Sequence, residues 1–304
     1  MLRLRRLYVR LARTQRFDLV HQLNPVDVGV SLALARDATP LVLGPYLPDW
    51  ARSGAGGGIG PAALRLERSV RGAQQRRART VLLSTPAAES IVDPGVARES
   101  VRELPHGIDA GFWSPAPAGT GQTVLFLANL ETRKGIHVLL DAFESLQRRL
   151  PGARLRIAGD GVERERVEAR FRGSVAADRI ELLGRVGRDE ALELMRACDV
   201  YCLPSFGEPF GIAALEAMAC ARPVVATDAG GLRHLVPDAG GRKVPPGDPE
   251  ALAGALEEVL GQPELQRAMG AVNREAVEQR FAWPRVGDRL EQLYAEAIRS
   301  REKR

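Results

Sequence analysis

Two carboxylates and two cations are the side chains best placed for chemistry in this chain of 304 residues. Glu208 lies in Pro204 to Gly211, a stretch holding two prolines and two glycines that reads as a loop. Glu216 follows with seven residues between, in Ile212 to Cys220, which is rich in the helix formers Ala, Leu, Glu and Met. A pair of carboxylates can flank one glycosidic bond and hydrolyse it, which is one reading of these two. Arg133 and Lys134 stand just before Gly135, after an apolar run, where fixed positive charge would favour a group that leaves as an anion. The spacing of the carboxylates alone carries little, because Glu250 and Glu258 repeat it.

The elements around these residues are more telling. Asp199 to Leu203 has the length and composition of a buried strand, and Val224 to Ala226 begins another after Arg222-Pro223 stops the helix. Glu208 and Glu216 therefore sit in a strand–loop–helix–strand unit of a parallel sheet. Such sheets bind ligands at the carboxyl ends of their strands, where helix N-termini point N–H groups outward. The pattern extends over the second half of the chain. Strands are expected at Thr123 to Ala128, Arg154 to Ala158, Ile180 to Leu183, Val200 to Leu203, Val224 to Thr227 and Gly241 to Val244. Helical patterns such as Ile136 to Leu150 and Asp189 to Ala197 lie between them, which implies a doubly wound α/β sheet. Arg133 and Lys134 then fall at a strand's carboxyl end, as do Gly159-Asp160-Gly161, Gly184-Arg185-Val186 and Asp228-Ala229-Gly230-Gly231.

Four stretches together carry a family likeness: Glu208-Pro209-Phe210-Gly211, Glu216-Ala217-Met218-Ala219, Arg222-Pro223-Val224-Val225 and Arg133-Lys134-Gly135. They resemble the E-x7-E signature and phosphate-side motif of retaining family 4 glycosyltransferases. His106-Gly107-Ile108-Asp109 is similar to the same family's N-G-V-D turn, and the resemblance is dense from about Leu104 onward. It implies a GT-B architecture, two Rossmann-like domains facing a cleft. The activity it implies moves a sugar from a UDP-, GDP- or ADP-sugar to an acceptor hydroxyl, with retained configuration and neither cofactor nor metal. By that resemblance Glu208, Lys134 and Arg133 are the catalytic set, with Glu208 on donor-sugar hydroxyls. Glu216 would accept hydrogen bonds from the ribose. Phe210, Gly211 and Ile212 would face the diphosphate, and Arg185, Val186 and Gly159 would complete the donor site. No D-x-D occurs in the chain, so the metal-chelating route of the other large transferase fold is not expected.

The chain departs from the family at three places. Asn129 stands where a strand-end arginine is usual, with Arg133 as its substitute. Gly44-Pro45-Tyr46 stands where many relatives carry a histidine, and His234 replaces a customary glutamate. His21 reads as a satisfied strand-end histidine rather than a base. Asn129, the missing histidine and a short N-terminal domain support a second reading, a non-catalytic or partner-dependent nucleotide-sugar-binding protein; His234 is neutral between the two.

Three segments follow: an N-terminal acceptor-side domain over 1–115, a nucleotide-sugar domain over 116–283, and a C-terminal helix over 284–304 crossing back to the first. Pro115 to Gly121 is the expected linker. In the first domain, strands are expected at Phe17 to His21, Pro40 to Gly44, Thr80 to Ser84 and Val101 to Leu104. The strands that usually precede Phe17 to His21 in that family have no counterpart. The domain thus reads as incomplete: a fragment, a shortened gene product, or a sheet whose open edge a dimer or partner covers. Gly54 to Gly60 lacks a P-loop ending and reads as a flexible loop near the acceptor cleft, with Trp50 before it.

Composition bounds the rest. Apolar residues make 45% and charged residues 27% of the chain, the balance of a soluble globular protein. No run approaches the ~18 apolar residues of a membrane span. Cys198, Cys202 and Cys220 form no C-x-x-C pair and read as reduced, buried thiols of a cytoplasmic protein. The net charge of +5 comes almost wholly from arginine, since lysine occurs only at Lys134, Lys243 and Lys303. Arg3, Arg5, Arg6, Arg10, Arg13 and Arg16 alternate with Leu2, Leu4, Leu7, Tyr8 and Leu11. That segment reads as a packing helix with a solvated arginine face, or as a peripheral contact with the inner face of a membrane. The acceptor (glycan, lipid-linked or small molecule) is open, and no nucleic-acid partner is expected.

Overall fold

The computed structural model describes residues 10–23, 39–48, 61–116, 121–172 and 177–299. The glycine-rich stretch with Trp50, the first nine residues of the arginine-rich segment and residues 117–120 of the expected linker lie outside them. The chain divides into two compact units, one formed by residues up to 106 together with the C-terminal helix from Pro284, the other by 107–283.

In the first unit, β1 (Val20–Gln22), β2 (Leu41–Tyr46), β3 (Thr80–Leu83) and β4 (Val101–Glu103) form a parallel sheet in that order, with α1 (Pro61–Gln75) between β2 and β3. Alternation along the strands divides the apolar residues between two faces. Leu41 and Leu43 join Val81, Leu83, Ile91 and Tyr46 in one cluster. Val42 and Leu82 join Leu104 in the other, against Val286, Leu293 and Ala297. The first strand is shorter and later than Phe17 to His21 predicts: only Val20 to Gln22 pair with β2. His21 is satisfied at both ring nitrogens. Nε2 donates to the Gly44 carbonyl at 2.9 Å and Nδ1 accepts from the Tyr294 hydroxyl at 2.6 Å. Burial holds its pKa below the ordinary histidine value.

The second unit holds β5 (Thr123–Leu127), α2 (Ile136–Arg149), β6 (Arg154–Ala158), α3 (Arg164–Arg172), β7 (Ile180–Gly184) and α4 (Arg188–Ala197). It continues through β8 (Val200–Leu203), α5 (Ile212–Ala219), β9 (Val224–Thr227), α6 (Leu232–Leu235), β10 (Gly241–Val244), α7 (Pro249–Leu260) and α8 (Pro263–Ala276). Its six strands are all parallel, ordered β10-β9-β8-β5-β6-β7. Strands β8 and β9 are buried at every position, which is why their sequences read as unbroken apolar runs rather than alternation. The three cysteines are free and buried.

The second unit begins earlier than the expected boundary at residue 116. Ile108 and Trp113 are buried in its core. Ile108 also pairs in parallel with Ala282, at the start of the C-terminal passage. Three arginines from distant elements hold the segment. Arg196 donates to the Ser114 carbonyl, Arg222 to that of Ala116, and Arg274 to those of Ala110 and Trp113. The last helix, α9 (Trp283–Arg299), packs its apolar stripe of Val286, Leu293 and Ala297 on the first sheet. No helix among the described residues is long and apolar enough to cross a membrane.

Candidate functional site

The strand order reverses between β5 and β8. From β5 the chain goes one way to β6 and β7, and β8 to β10 lie on the other side. At such a switch point the loops leaving the two central strands diverge, and the crevice between them is where open α/β sheets take ligands. The loop after β5 carries Arg133 and Lys134; the loop after β8 carries Glu208. The fold brings these together across 74 residues of sequence.

Lys134 Nζ lies 2.5 Å from Glu208 Oε2, and Arg133 Nη1 lies 3.8 Å from the same oxygen. The Lys134 and Glu208 side chains are only 14% and 10% exposed, so the charges act on each other through little water. Their backbones are laced as well. Arg133 Nη1 donates to the Gly207 carbonyl at 2.8 Å, the Phe206 N–H donates to the Arg133 carbonyl at 2.9 Å, and the Ser205 hydroxyl donates to that carbonyl too. Gly135 makes the approach possible. Its φ is +74°, and a Cβ there would meet the Pro204 carbonyl oxygen at 1.9 Å. Asn129, at the strand end, donates to Glu131, which pairs in turn with Arg133 at 3.4 Å. Arg133 thus points toward the loop after β8.

Helix α5 starts beside this cluster. Gly211, at φ +103°, is its N-cap, and no side chain caps the helix. The N–H groups of its first turn have no acceptor within the helix and carry its positive end. The Gly231 N–H donates to the Glu208 carbonyl at 2.6 Å and so fixes the loop from the β9 side. Phe210 is a core residue by its side chain, 4% exposed and edge-on to Phe281; Ile212 is 48% exposed. One turn into the helix, Glu216 is half-buried. Its carboxylate has no hydrogen bond and no ion pair within 4 Å among the described residues. Burial raises its pKa to about 7, against a smaller lowering by the positive charge of Arg188.

The remaining expected donor residues ring the same strand ends. Arg185 is exposed and Val186 half-buried, in the loop after β7. The Gly159 N–H is committed to the Gly184 carbonyl at 2.7 Å, so that residue ties two loops together and has no N–H to offer a ligand. The sequence reading did not single out Glu163, Thr132, His137, Arg188 or Phe112. Arg188 lies 3.9 Å over the Phe112 ring, and the other three form a network behind Lys134. Among the described residues no group of three His, Cys, Asp or Glu is placed to hold a metal ion.

A six-stranded parallel sheet with this reversal, a cationic turn on one side of it and a helix start on the other, defines a Rossmann-like unit. Residues 109–276 match the family model for glycosyl transferases group 1, and the chain belongs to that family. It is 39% identical over 200 residues to the phosphatidyl-myo-inositol mannosyltransferase of Mycobacterium leprae, covering 63% of this chain and 52% of that protein. The chain spans about half the length of the curated relatives it matches. Sucrose-phosphate synthase from Thermosynechococcus elongatus superposes with a TM-score of 0.73 at 25% identity, covering 93% of this chain and 74% of that one. HepE from Anabaena, solved in complex with UDP, gives 0.80 at 22% identity, covering 96% and 82%. The fold is α/β of the GT-B class, with a Rossmann-like sheet in each unit.

Proposed function

We propose that the chain is a retaining glycosyltransferase whose nucleotide-diphosphate-sugar donor binds at the β5–β8 switch point. The observation that carries this reading is the convergence of Lys134 and Arg133 on one carboxylate oxygen beside the start of α5. A donor diphosphate arriving there meets two fixed cations and the positive end of a helix, the groups that stabilise it as it leaves. In this reading it takes Lys134 from Glu208, and the released carboxylate turns to the donor-sugar hydroxyls. Glu216 accepts from the ribose hydroxyls, and the loop after β7, with Arg185 and Val186, lies beside the base. That HepE, of like fold, was solved with UDP supports placing a nucleotide here.

In the chemical step the bond from the anomeric carbon to the diphosphate oxygen breaks, and its electron pair leaves with the phosphate. The acceptor hydroxyl bonds to the same face of that carbon, and its proton passes to the departing phosphate oxygen. Lys134, Arg133 and the α5 N–H groups stabilise the developing charge, so the reading assigns no role to a metal ion. The mannosyltransferase relative supports sugar transfer as the reaction class. The reading places the protein in the cytoplasm, where nucleotide sugars are made.

Calorimetric titration with UDP, GDP and ADP tests the donor site. One of them is expected to bind wild type and to bind Lys134→Ala and Glu216→Ala at least tenfold more weakly, a loss of about 1.4 kcal/mol or more. No binding to wild type, or equal binding to the variants, overturns it. Retention is tested by the anomeric configuration of the product in NMR, where inversion rules the mechanism out.

A further inference from the structure

Behind the Arg133-Lys134 turn lies a carboxylate that the reaction does not touch. Glu163 is 5% exposed, yet it lies between three donors from three elements. Its Oε1 accepts from the Thr132 hydroxyl at 2.5 Å. Its Oε2 accepts from His137 Nε2 at 2.9 Å and from Arg166 Nη1 at 3.3 Å. Thr132 opens the short turn Thr132–Lys134, His137 lies in the first turn of α2, and Arg166 lies on α3. The backbone joins the same network. The Glu163 N–H donates to the Leu130 carbonyl at 3.0 Å, and the Leu130 N–H donates to that of Asp160 at 2.9 Å.

The consequence for Lys134 is mechanical. A lysine has four rotatable side-chain bonds, and its usefulness against a diphosphate depends on where its Cα is held. Gly135, the residue after it, is in the left-handed region and gives the turn no rigidity from a side chain. On the side away from the crevice, the Thr132 hydroxyl on Glu163 anchors the turn, and the donors around Glu163 hold its carboxyl down at a pKa of about 2. It therefore stays ionised, as an acceptor, at any pH at which the protein would work.

We infer that Glu163 is a positioning residue for the donor diphosphate, acting through Thr132 to hold Lys134 and Arg133 on the β5–β8 crevice. This rests on the donor-site reading above and adds a residue to it. It has a signature that a merely structural carboxylate lacks. Loosening the turn should weaken what the turn binds, the second phosphate, and leave the nucleoside end alone.

The experiment uses the full chain, whichever of UDP, GDP and ADP binds wild type, and the matching monophosphate. Thr132→Val removes the hydroxyl with little change of shape, and its diphosphate affinity is expected to fall about tenfold, the effect of one hydrogen bond to a charged group. Its monophosphate affinity should stay within about twofold, while the lost hydrogen bond lowers the melting temperature by several degrees without preventing folding. Thr132→Ser, which keeps the hydroxyl, should restore diphosphate binding. Glu163→Gln should lose more diphosphate affinity than Thr132→Val; if it fails to fold, the threonine pair still decides. Thr132→Val binding the diphosphate like wild type, while Lys134→Ala loses it, overturns the positioning role and leaves the donor site standing. Equal losses of monophosphate and diphosphate overturn it too. If Lys134→Ala binds the diphosphate as wild type does, the donor-site reading itself falls.

Discussion

Glu208 and Glu216 lie at the two ends of one loop-and-helix segment, and the protein treats their charges in opposite ways. Glu208 is almost fully buried but faces Lys134 at 2.5 Å and Arg133 at 3.8 Å. Glu216 is less buried, yet among the described residues its carboxylate has no hydrogen bond and no close ion pair, and its pKa climbs to about 7. A buried charge costs less when paired than when alone. One carboxylate is thus compensated in the free protein and the other waits for its compensation. In the reading proposed here the donor supplies it to Glu216 through ribose hydroxyls, and takes it from Glu208 by drawing off Lys134. In that reading two identical side chains in one motif are set up for different events, one for departure of the diphosphate and one for capture of the nucleotide.

The strongest way to break that comparison is Lys134→Ala. With the cation gone the leaving diphosphate loses its nearest fixed charge, and turnover is expected to fall by about 10²–10³, the range for removing one group that stabilises charge in a transition state. Steady-state rates with the sugar nucleotide whose diphosphate binds would check it. Turnover within a factor of a few of wild type would mean that Lys134 serves Glu208 and not the reaction.

Glu216→Gln probes the other end, and stability and binding should move in opposite directions. The carboxyl's pKa is about 7 in the folded chain against 4.5 in the reference state. The folded protein therefore binds the proton more tightly than the unfolded chain. Stability is greatest when Glu216 is protonated, falls as pH rises from about 4.5 to about 7, and stays lower above that. Glutamine removes the burden, so the variant should be more stable than wild type near pH 8, by up to about 3 kcal/mol. The gap should close as pH falls toward 4.5. Nucleotide affinity should nonetheless drop about tenfold, because an amide is a poorer acceptor for two hydroxyls. Thermal melts at several pH values, alongside calorimetry, would show both effects. A variant that is less stable at pH 8 would refute the account of Glu216 as an uncompensated charge.

A gentler test needs no mutation at first. If ribose hydroxyls donate to an ionised Glu216, wild-type affinity for the nucleotide should weaken as pH falls through about 7, approaching tenfold for each further unit. In Glu216→Gln this component should vanish. An unchanged pH profile in the variant would move the titration elsewhere.

Much of this was legible in the sequence, for physical reasons. Parallel strands buried on both faces leave continuous apolar runs, so Val200 to Leu203 and Val224 to Thr227 have the same bounds in sequence and structure. Arg154 to Ala158 and Gly241 to Val244 do as well, although arginine or lysine interrupts their apolar residues, because the strand–helix alternation around them marks their place. Val286, Leu290, Leu293 and Ala297, spaced on one helical stripe, mark α9 in the sequence, and all four pack in one apolar cluster. The motif spacing was legible only in context. Glu250 and Glu258 share it, but they lie on α7 and make exposed ion pairs with Arg149 and Arg242. The first strand reads too early in the sequence because Phe17 and Leu19 alternate with Asp18 as strand residues do, yet only Val20 to Gln22 find a neighbour to pair with. The segment over 107–115 reads as part of the first domain in the sequence because the arginines that hold it to the second lie at 196 and 274, with Arg222 on Ala116 just after it. Glu163 was hidden by its surroundings. In Glu163-Arg164-Glu165-Arg166 it looks like any charge on a solvated helix, and only the fold shows that Thr132 and His137 reach it.

The smallest expected effect belongs to Arg188, which sharpens the comparison by acting on one carboxylate alone. Its guanidinium lies over the Phe112 ring at 3.9 Å, a contact that holds an otherwise exposed side chain near Glu216. It is too far away to form an ion pair, yet its positive charge opposes the rise that burial imposes on the Glu216 pKa. Arg188→Gln removes that opposition, so the Glu216 pKa should rise further and the pH midpoint of nucleotide binding should move upward. At neutral pH a larger share of the variant carries a protonated Glu216, and affinity should be roughly threefold weaker. Well above the midpoint, where both proteins are ionised, the difference should close. A loss that persists at high pH would instead make Arg188 a direct contact of the nucleotide. Glu208, already matched by Lys134, should not register the change, so turnover at saturating donor and alkaline pH should stay within about twofold of wild type.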